Sequence, residues 1–206
     1  MFEIVTAGGW LMLPILTCSV VTMAIVAERF WSLRENKVVP ITLVNQARRL
    51  LAHDRISDDE LGELERHSPL GRILAIGITH RSQSRESIKN AVEEVGSHVA
   101  HELQRFLNAL GTIATVTPLL GLLGTVLGMI QVFTRITSAG VGNPTELAGG
   151  ISQALITTAA GLGVGICALL MYRYFKGRVE GLIVGMERES LKLIDSIKPV
   201  AGTRAA

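Results

Sequence analysis

No aspartate, glutamate, lysine or arginine occurs from Trp10 to Ala27, from Asn108 to Thr134, or from Leu147 to Tyr172. About 20 uncharged, mostly apolar residues are what crossing the hydrocarbon of a bilayer requires. Only two cysteines are present, Cys18 and Cys167, each inside an uncharged stretch. Thiols so placed behave as small hydrophobes, which excludes a disulfide framework and a CxxC metal site. Before Trp10 the only charge is Glu3, and a secretory signal needs a basic n-region there. Ile15-Leu16-Thr17-Cys18 faintly resembles a lipoprotein cleavage site, but the basic residues are missing and Thr17 is a poor residue before the cysteine. A net charge of +2 is too small to argue for nucleic acid as a partner. No readable motif combines a nucleophile, a base and an orienting group, so an enzyme is disfavoured.

What is present is distributed unevenly. Twelve basic residues, from Arg29 to Arg105, lie between the first and second uncharged stretches, and seven, from Arg173 to Arg204, follow the third. The N-terminal tail has none, and Arg135 is alone between the second and third stretches. The positive-inside rule then places the N-terminus outside and the C-terminus in the cytoplasm, with three crossings. The expected organisation is an outer tail (1–9), a first span (10–28), a cytoplasmic helical domain (29–107), a second span (108–135), a short outer loop (136–146), a third span (147–172) and a cytoplasmic extension and tail (173–206). Trp10 and Trp31 flank the first span as interfacial aromatics do.

In the cytoplasmic part, Leu43, Val44, Ala47, Leu50 and Leu51 carry helical spacing over Ile41 to His53. Ser57 or Asp58 offers an N-cap to a short acidic helix near Asp59 to Arg66. Ser68-Pro69 opens another helix, with Pro69 at its first position. From Glu86 onward Ile88, Val92, Val95, Val99, Leu103, Phe106 and Leu110 recur at three or four residues and run into the second span with no Gly-Pro break. The pattern predicts one helix of about 50 residues, roughly 75 Å long at 1.5 Å per residue. Val179, Leu182, Met186, Leu193 and Ile197 continue the third span likewise, and the residues after Lys198 read as frayed. Apolar stripes outside lipid need something to pack on.

Small and hydroxylated residues stripe both inner spans. Ala114, Pro118, Gly121, Thr125 and Gly128 share one helical face, and Gly124 and Gly128 form a GxxxG pair. Ala154, Thr158, Gly161, Gly165 and Ala168 do the same in the third span, with Gly161 and Gly165 as the pair. Such stripes allow close backbone approach between helices in lipid. On pattern alone, a packing seam and a pore lining both remain open, since threonine often bonds its own helix.

The run Thr117-Pro-Leu-Leu-Gly-Leu-Leu-Gly-Thr-Val-Leu-Gly-Met-Ile130, followed by Ile151-Ser-Gln-Ala-Leu-Ile-Thr-Thr-Ala-Ala-Gly-Leu162, resembles the signature of the MotA/TolQ/ExbB proton-channel family. Ala27-Glu-Arg-Phe30 resembles the family's Glu-Arg motif at the inner end of the first span. Order, spacing and predicted topology agree over nearly the whole chain, nearest to ExbB-like members. The resemblance implies an all-α protein of the bacterial inner membrane, assembled as a ring of five identical subunits. It implies a pore around two single-span helices of an ExbD-like partner, whose aspartate carries the proton, with work passed to a TonB-like coupler. Thr125, Thr158, Gln153 and Thr157 would line the pathway, and Gly121, Gly124, Gly128, Gly161 and Gly165 would pack the helices. Gln153 stands where ExbB and TolQ carry a glutamate, and glutamine cannot titrate. TolQ-like envelope maintenance and a non-conducting scaffold are the competing readings.

Several residues tempt without persuading. Glu94, His98, His101 and Glu102 have helical spacing for a metal, yet on a charged helix they read as solvated, and no cofactor is expected. Gly121-Leu-Leu-Gly-Thr lacks the Gly-Lys-Ser/Thr ending of a phosphate loop. Glu28 and Arg29 stay between two readings: Arg29 snorkelling to headgroups, or Glu28 near an inner proton exit or in an intersubunit salt bridge. Arg135 is left to lipid or to Glu146.

Overall fold

The computed structural model describes residues 9–51, 56–140 and 144–197. Among these residues there is no strand. The helices are α1 (Met12–Ser32), α2 (Glu35–Val38), α3 (Ile41–Leu51), α4 (Asp58–His67), α5 (Pro69–Thr79), α6 (Arg85–Leu103), α7 (Leu107–Ala139) and α8 (Pro144–Ser196). Among the described residues three helical stretches are long and apolar enough to cross a membrane: α1, Arg85–Ser138 (α6 and α7 taken together) and Leu147–Ser196 of α8. The chain divides into two units, residues 9–28 with 106–175, and residues 29–105 with 176–197.

The first unit holds the uncharged stretches. In α1, Met12, Ile15 and Ile25 line the buried side, continued by Leu11 just before it, while Leu13, Val20 and Met23 are exposed. In α7, Leu119, Leu122, Val126, Ile130 and Phe133 form an exposed apolar stripe. The opposite face of that helix, through Ala114, Thr117, Gly121, Gly124, Gly128 and Val132, is buried. Helical steps of three and four thus sort large side chains outward and small ones inward, the arrangement lipid favours. Pro118 lies inside α7 and cannot donate to the Ala114 carbonyl. Its ring occupies the notch left by Gly165 of α8, where an added Cβ would clash with the ring.

The second unit is built around α5, whose Leu70, Ile73, Leu74, Ala75 and Ile78 are all buried. It packs against α2, α3, α4 and α6. Gly77 admits Val92 of α6 and Leu193 of α8, with a Cβ there meeting Leu193 at 3.2 Å. Full burial of side chains such as Leu64 and Leu74 contributes about 1.5–3 kcal/mol each. Local signals fix the helix starts. Ser57 accepts from the Asp59 amide at 3.3 Å while Glu60 accepts from the Ser57 amide at 3.1 Å, a reciprocal capping box. Ser68 caps α5 through the Gly71 amide at 2.9 Å, with Pro69 in the first turn. Expected helix over Ile41 to His53 is seen to Leu51; His53 lies outside the described residues, as do those after Ile197.

The expected long helix from Glu86 into the second span is present as Arg85–Ser138, with one local break. The predicted 50-residue helix is interrupted at Gln104–Phe106, separating α6 from α7. Phe106 adopts φ 64°, the only positive φ at a non-glycine among the described residues. A left-handed L-residue costs about 1–2 kcal/mol, and nothing in the local sequence requests it. The apolar position is filled by Leu107, buried, while Phe106 is 41% exposed. By contrast, α8 runs unbroken for 53 residues, about 80 Å at the helical rise and well over the span of hydrocarbon.

Candidate functional site in the glycine seam

Within the first unit, α7 and α8 approach to backbone contact. A Cβ on Gly161 would lie 2.8 Å from both the Gly121 Cα and the Thr117 carbonyl oxygen. One on Gly121 would meet the Thr158 Cα at 3.1 Å and the Gly161 Cα at 3.3 Å. Gly128 faces Ala154, and Gly124 faces the Thr157 side chain. All five glycines singled out by spacing, Gly121, Gly124, Gly128, Gly161 and Gly165, are buried in this seam.

The threonines sit in and beside it. Thr158, half-buried, donates its hydroxyl across the seam to the Gly121 carbonyl at 2.7 Å. Helical pairing assigns that same carbonyl to the Thr125 amide, so one oxygen serves a backbone donor and a side chain from the other helix. Thr125, partly exposed at the seam's margin, donates to the Leu122 carbonyl at 2.6 Å. Each hydroxyl has therefore committed its single proton and keeps lone pairs free to accept. Thr157 is fully buried and donates to the Gln153 carbonyl at 2.9 Å. Its place is inside the seam, and its methyl fills the space beside Gly124.

Gln153 packs its amide against Gly9, where φ is 71° and no Cβ fits. Together with Trp10, Gln131 and Thr157 it lines a void of about 30 Å³, room for one water with polar partners to hold it. Among the described residues, two buried hydroxyls have no hydrogen-bond partner, those of Thr22 and Thr117. Sequence reasoning quoted Thr117 only as the start of a motif. Its neighbour Pro118 was the available signal, because a proline withdraws one amide and disturbs the ladder around it.

Arg29 departs from the snorkelling reading. It is 4% exposed, and its Nη1 donates to the Leu103 carbonyl at 3.1 Å. A guanidinium at the last carbonyl of α6 satisfies an orphan acceptor and meets the negative end of the helix dipole. Snorkelling to headgroups is therefore corrected: the charge is held inside the second unit. Glu28 is exposed. Glu94, His98 and His101 lie exposed on α6, while Glu102 pairs with Arg72 at 2.7 Å. Among the described residues no three His, Cys, Asp or Glu side chains are grouped to hold a metal. Arg135 is exposed, and the Glu146 side chain lies outside the described residues.

Comparison with known proteins matches the same region. Residues 65–188 fit the family described as the MotA/TolQ/ExbB proton channel family. The chain is similar to a putative biopolymer transport protein ExbB-like 1 of Synechocystis, at 35% identity over 81% of this chain and 66% of that one. A second Synechocystis protein, the putative biopolymer transport protein ExbB-like 3, is 33% identical over 82% of each. A solved structure of C. jejuni MotAB aligns over 98% of this chain and 83% of its own, at 19% identity and a TM-score of 0.44. With the family match spanning well over half of its residues, the chain belongs to the MotA/TolQ/ExbB proton channel family.

Proposed function

We propose that this chain is the ExbB-like channel subunit of a bacterial inner-membrane motor, with its N-terminus outside and its C-terminus in the cytoplasm. Identical copies, five by family resemblance, surround two single-span helices of an ExbD-like partner, and a TonB-like coupler receives the work. The observation that carries this reading is the glycine seam with half-open threonine hydroxyls at its margin. Neither of the two uncharged stretches that form it, 108–134 and 147–172, contains an aspartate, glutamate, histidine, lysine or arginine. The chain offers hydrogen-bond acceptors at membrane depth but no proton carrier, so the carrier belongs to another protein.

The chemistry then follows from which groups hold protons. A carboxylic acid in its neutral form donates to the free lone pairs of Thr125 or Thr158. In its ionised form it needs a donor, and a threonine can supply one only by releasing a backbone carbonyl, a net loss of about 1 kcal/mol. Charge at membrane depth is costly in any case. Both effects favour a carboxyl that crosses the threonine zone protonated and ionises where water reaches it. Each inward proton releases about 2.3 kcal/mol per 100 mV. Gln153 has no part in titration and serves as an amide brace and water ligand.

A deletion strain tests the assignment. Loss of energised outer-membrane uptake with an intact envelope supports the ExbB-like role. Leakage of periplasmic protein instead favours TolQ-like work. Native mass of the extracted complex distinguishes both from a scaffold, because the motor requires partner copies inside the ring.

A further inference from the structure

We propose that a groove between α2 and α8 holds the headgroup of an anionic phospholipid from the inner leaflet. The inference rests on the inward placement of these residues and not on channel activity. Within the second unit the groove has a volume of about 240 Å³ and is lined by Glu35, Arg178, Leu182 and the three glycines Gly177, Gly181 and Gly185. Those glycines lie one turn apart on a single face of α8, and an added Cβ at any of them would meet nothing within 4 Å. The chain's own packing therefore does not require them, and mid-helix glycine is less favourable than alanine. What glycine provides here is room for something from outside the chain to approach the backbone.

Depth and charge say what that occupant is. Gly177 comes five residues after Tyr172, the end of the third uncharged stretch, which is about 7.5 Å along an unbroken helix. The headgroup layer of a bilayer is about 5–7 Å deep on each side, so this end of the groove lies at phosphate level. Trp31, four residues before Glu35, is 63% exposed. Lys37 lies over its ring, 3.0 Å from the centroid, an interfacial aromatic with a cation beside it. Arg34, Lys37, Lys176 and Arg178 are all exposed, against Glu35 and Glu180. Arg178 meets Glu35 only at 3.5 Å, with both side chains open to solvent, and such a pair contributes little. A phosphate offers the guanidinium two short charge-assisted bonds in its place. Basic pockets between membrane helices on the cytoplasmic side bind anionic headgroups in this way. A helix of a second copy would match the glycines but not the surrounding cations.

Native mass spectrometry of the full chain extracted in detergent tests this, with dioleoyl phosphatidylglycerol and dioleoyl phosphatidylcholine as the probes. Wild type is expected to retain phosphatidylglycerol at concentrations where phosphatidylcholine is lost. Arg178→Gln removes the guanidinium and should weaken phosphatidylglycerol binding about tenfold. Gly181→Leu fills the groove with a better helix former, so the fold is kept while the lipid is excluded. Arg188→Gln, three residues past Gly185 and outside the groove lining, is the control and should bind as wild type does. Equal retention of the two lipids, or unchanged retention in Arg178→Gln or Gly181→Leu, overturns the proposal. An equal loss in Arg188→Gln overturns it too, as diffuse attraction of charge rather than a site. So does displacement of the lipid by inorganic phosphate at equal concentration. If Gly181→Leu splits the assembly into single chains and leaves phosphatidylglycerol bound, the groove belongs to a neighbouring copy and the proposal is again overturned. None of these outcomes depends on proton uptake, so the channel reading stands or falls separately.

Discussion

At the scale of single residues, Thr158 and Gly9 are the most exposed to test. Thr158→Val removes the hydrogen bond to Gly121, and such bonds between membrane helices contribute about 0.6 kcal/mol on average. The assembly is expected to survive with a slightly lowered unfolding midpoint, while proton uptake falls sharply. Thr158→Ser keeps the hydroxyl and should restore uptake; if valine transports as well as serine, the hydroxyl has no role. Gly9 combines φ 71° with a Gln153 amide lying where a Cβ would go. Gly9→Ala is expected to cost at least about 1–2 kcal/mol. Adding Gln153→Ala should recover the steric part and leave the backbone part, which thermal unfolding of both variants in detergent reads directly. Equal stability of Gly9→Ala and wild type would remove the brace from the account.

At the scale of elements, the seam and the caps make separate demands. Gly161→Val forces a branched side chain against the Gly121 Cα and the Thr117 carbonyl, with no flexible neighbour to yield. It should separate α7 from α8 and abolish recovery of the complex, as size-exclusion chromatography would report. Ser57→Ala removes only a capping box, about 1 kcal/mol, and should leave transport unchanged. Sequence legibility divides along the same line. Charge-free length gave the three long helices, and small-residue spacing brought out the glycines that meet in the seam, because both follow from local periodicity against a uniform solvent. The interruption at Gln104–Phe106 was illegible, since residues 97–110 contain neither glycine nor proline to signal it. Where the threonine protons go was equally hidden: a hydroxyl on a helix can bond its own turn or a neighbour, and only packing decides.

At the scale of the whole molecule, the account divides labour between chains. On the proposed reading this one supplies a closely packed, uncharged wall with acceptor oxygens, and a partner would supply the titrating group. The exposed apolar stripe from Leu119 to Phe133 leaves a broad surface for lipid or for neighbouring copies, and exposed pairs such as Arg72–Glu102 add little to stability at about 0–1 kcal/mol. The most direct measurement is proton uptake into proteoliposomes under an imposed inward-directed potential, with this chain alone and with its partner. The account predicts uptake that appears only when both proteins are present and disappears when the partner's membrane carboxylate is made an amide. Uptake by this chain alone, or uptake that survives loss of the carboxylate, would contradict it.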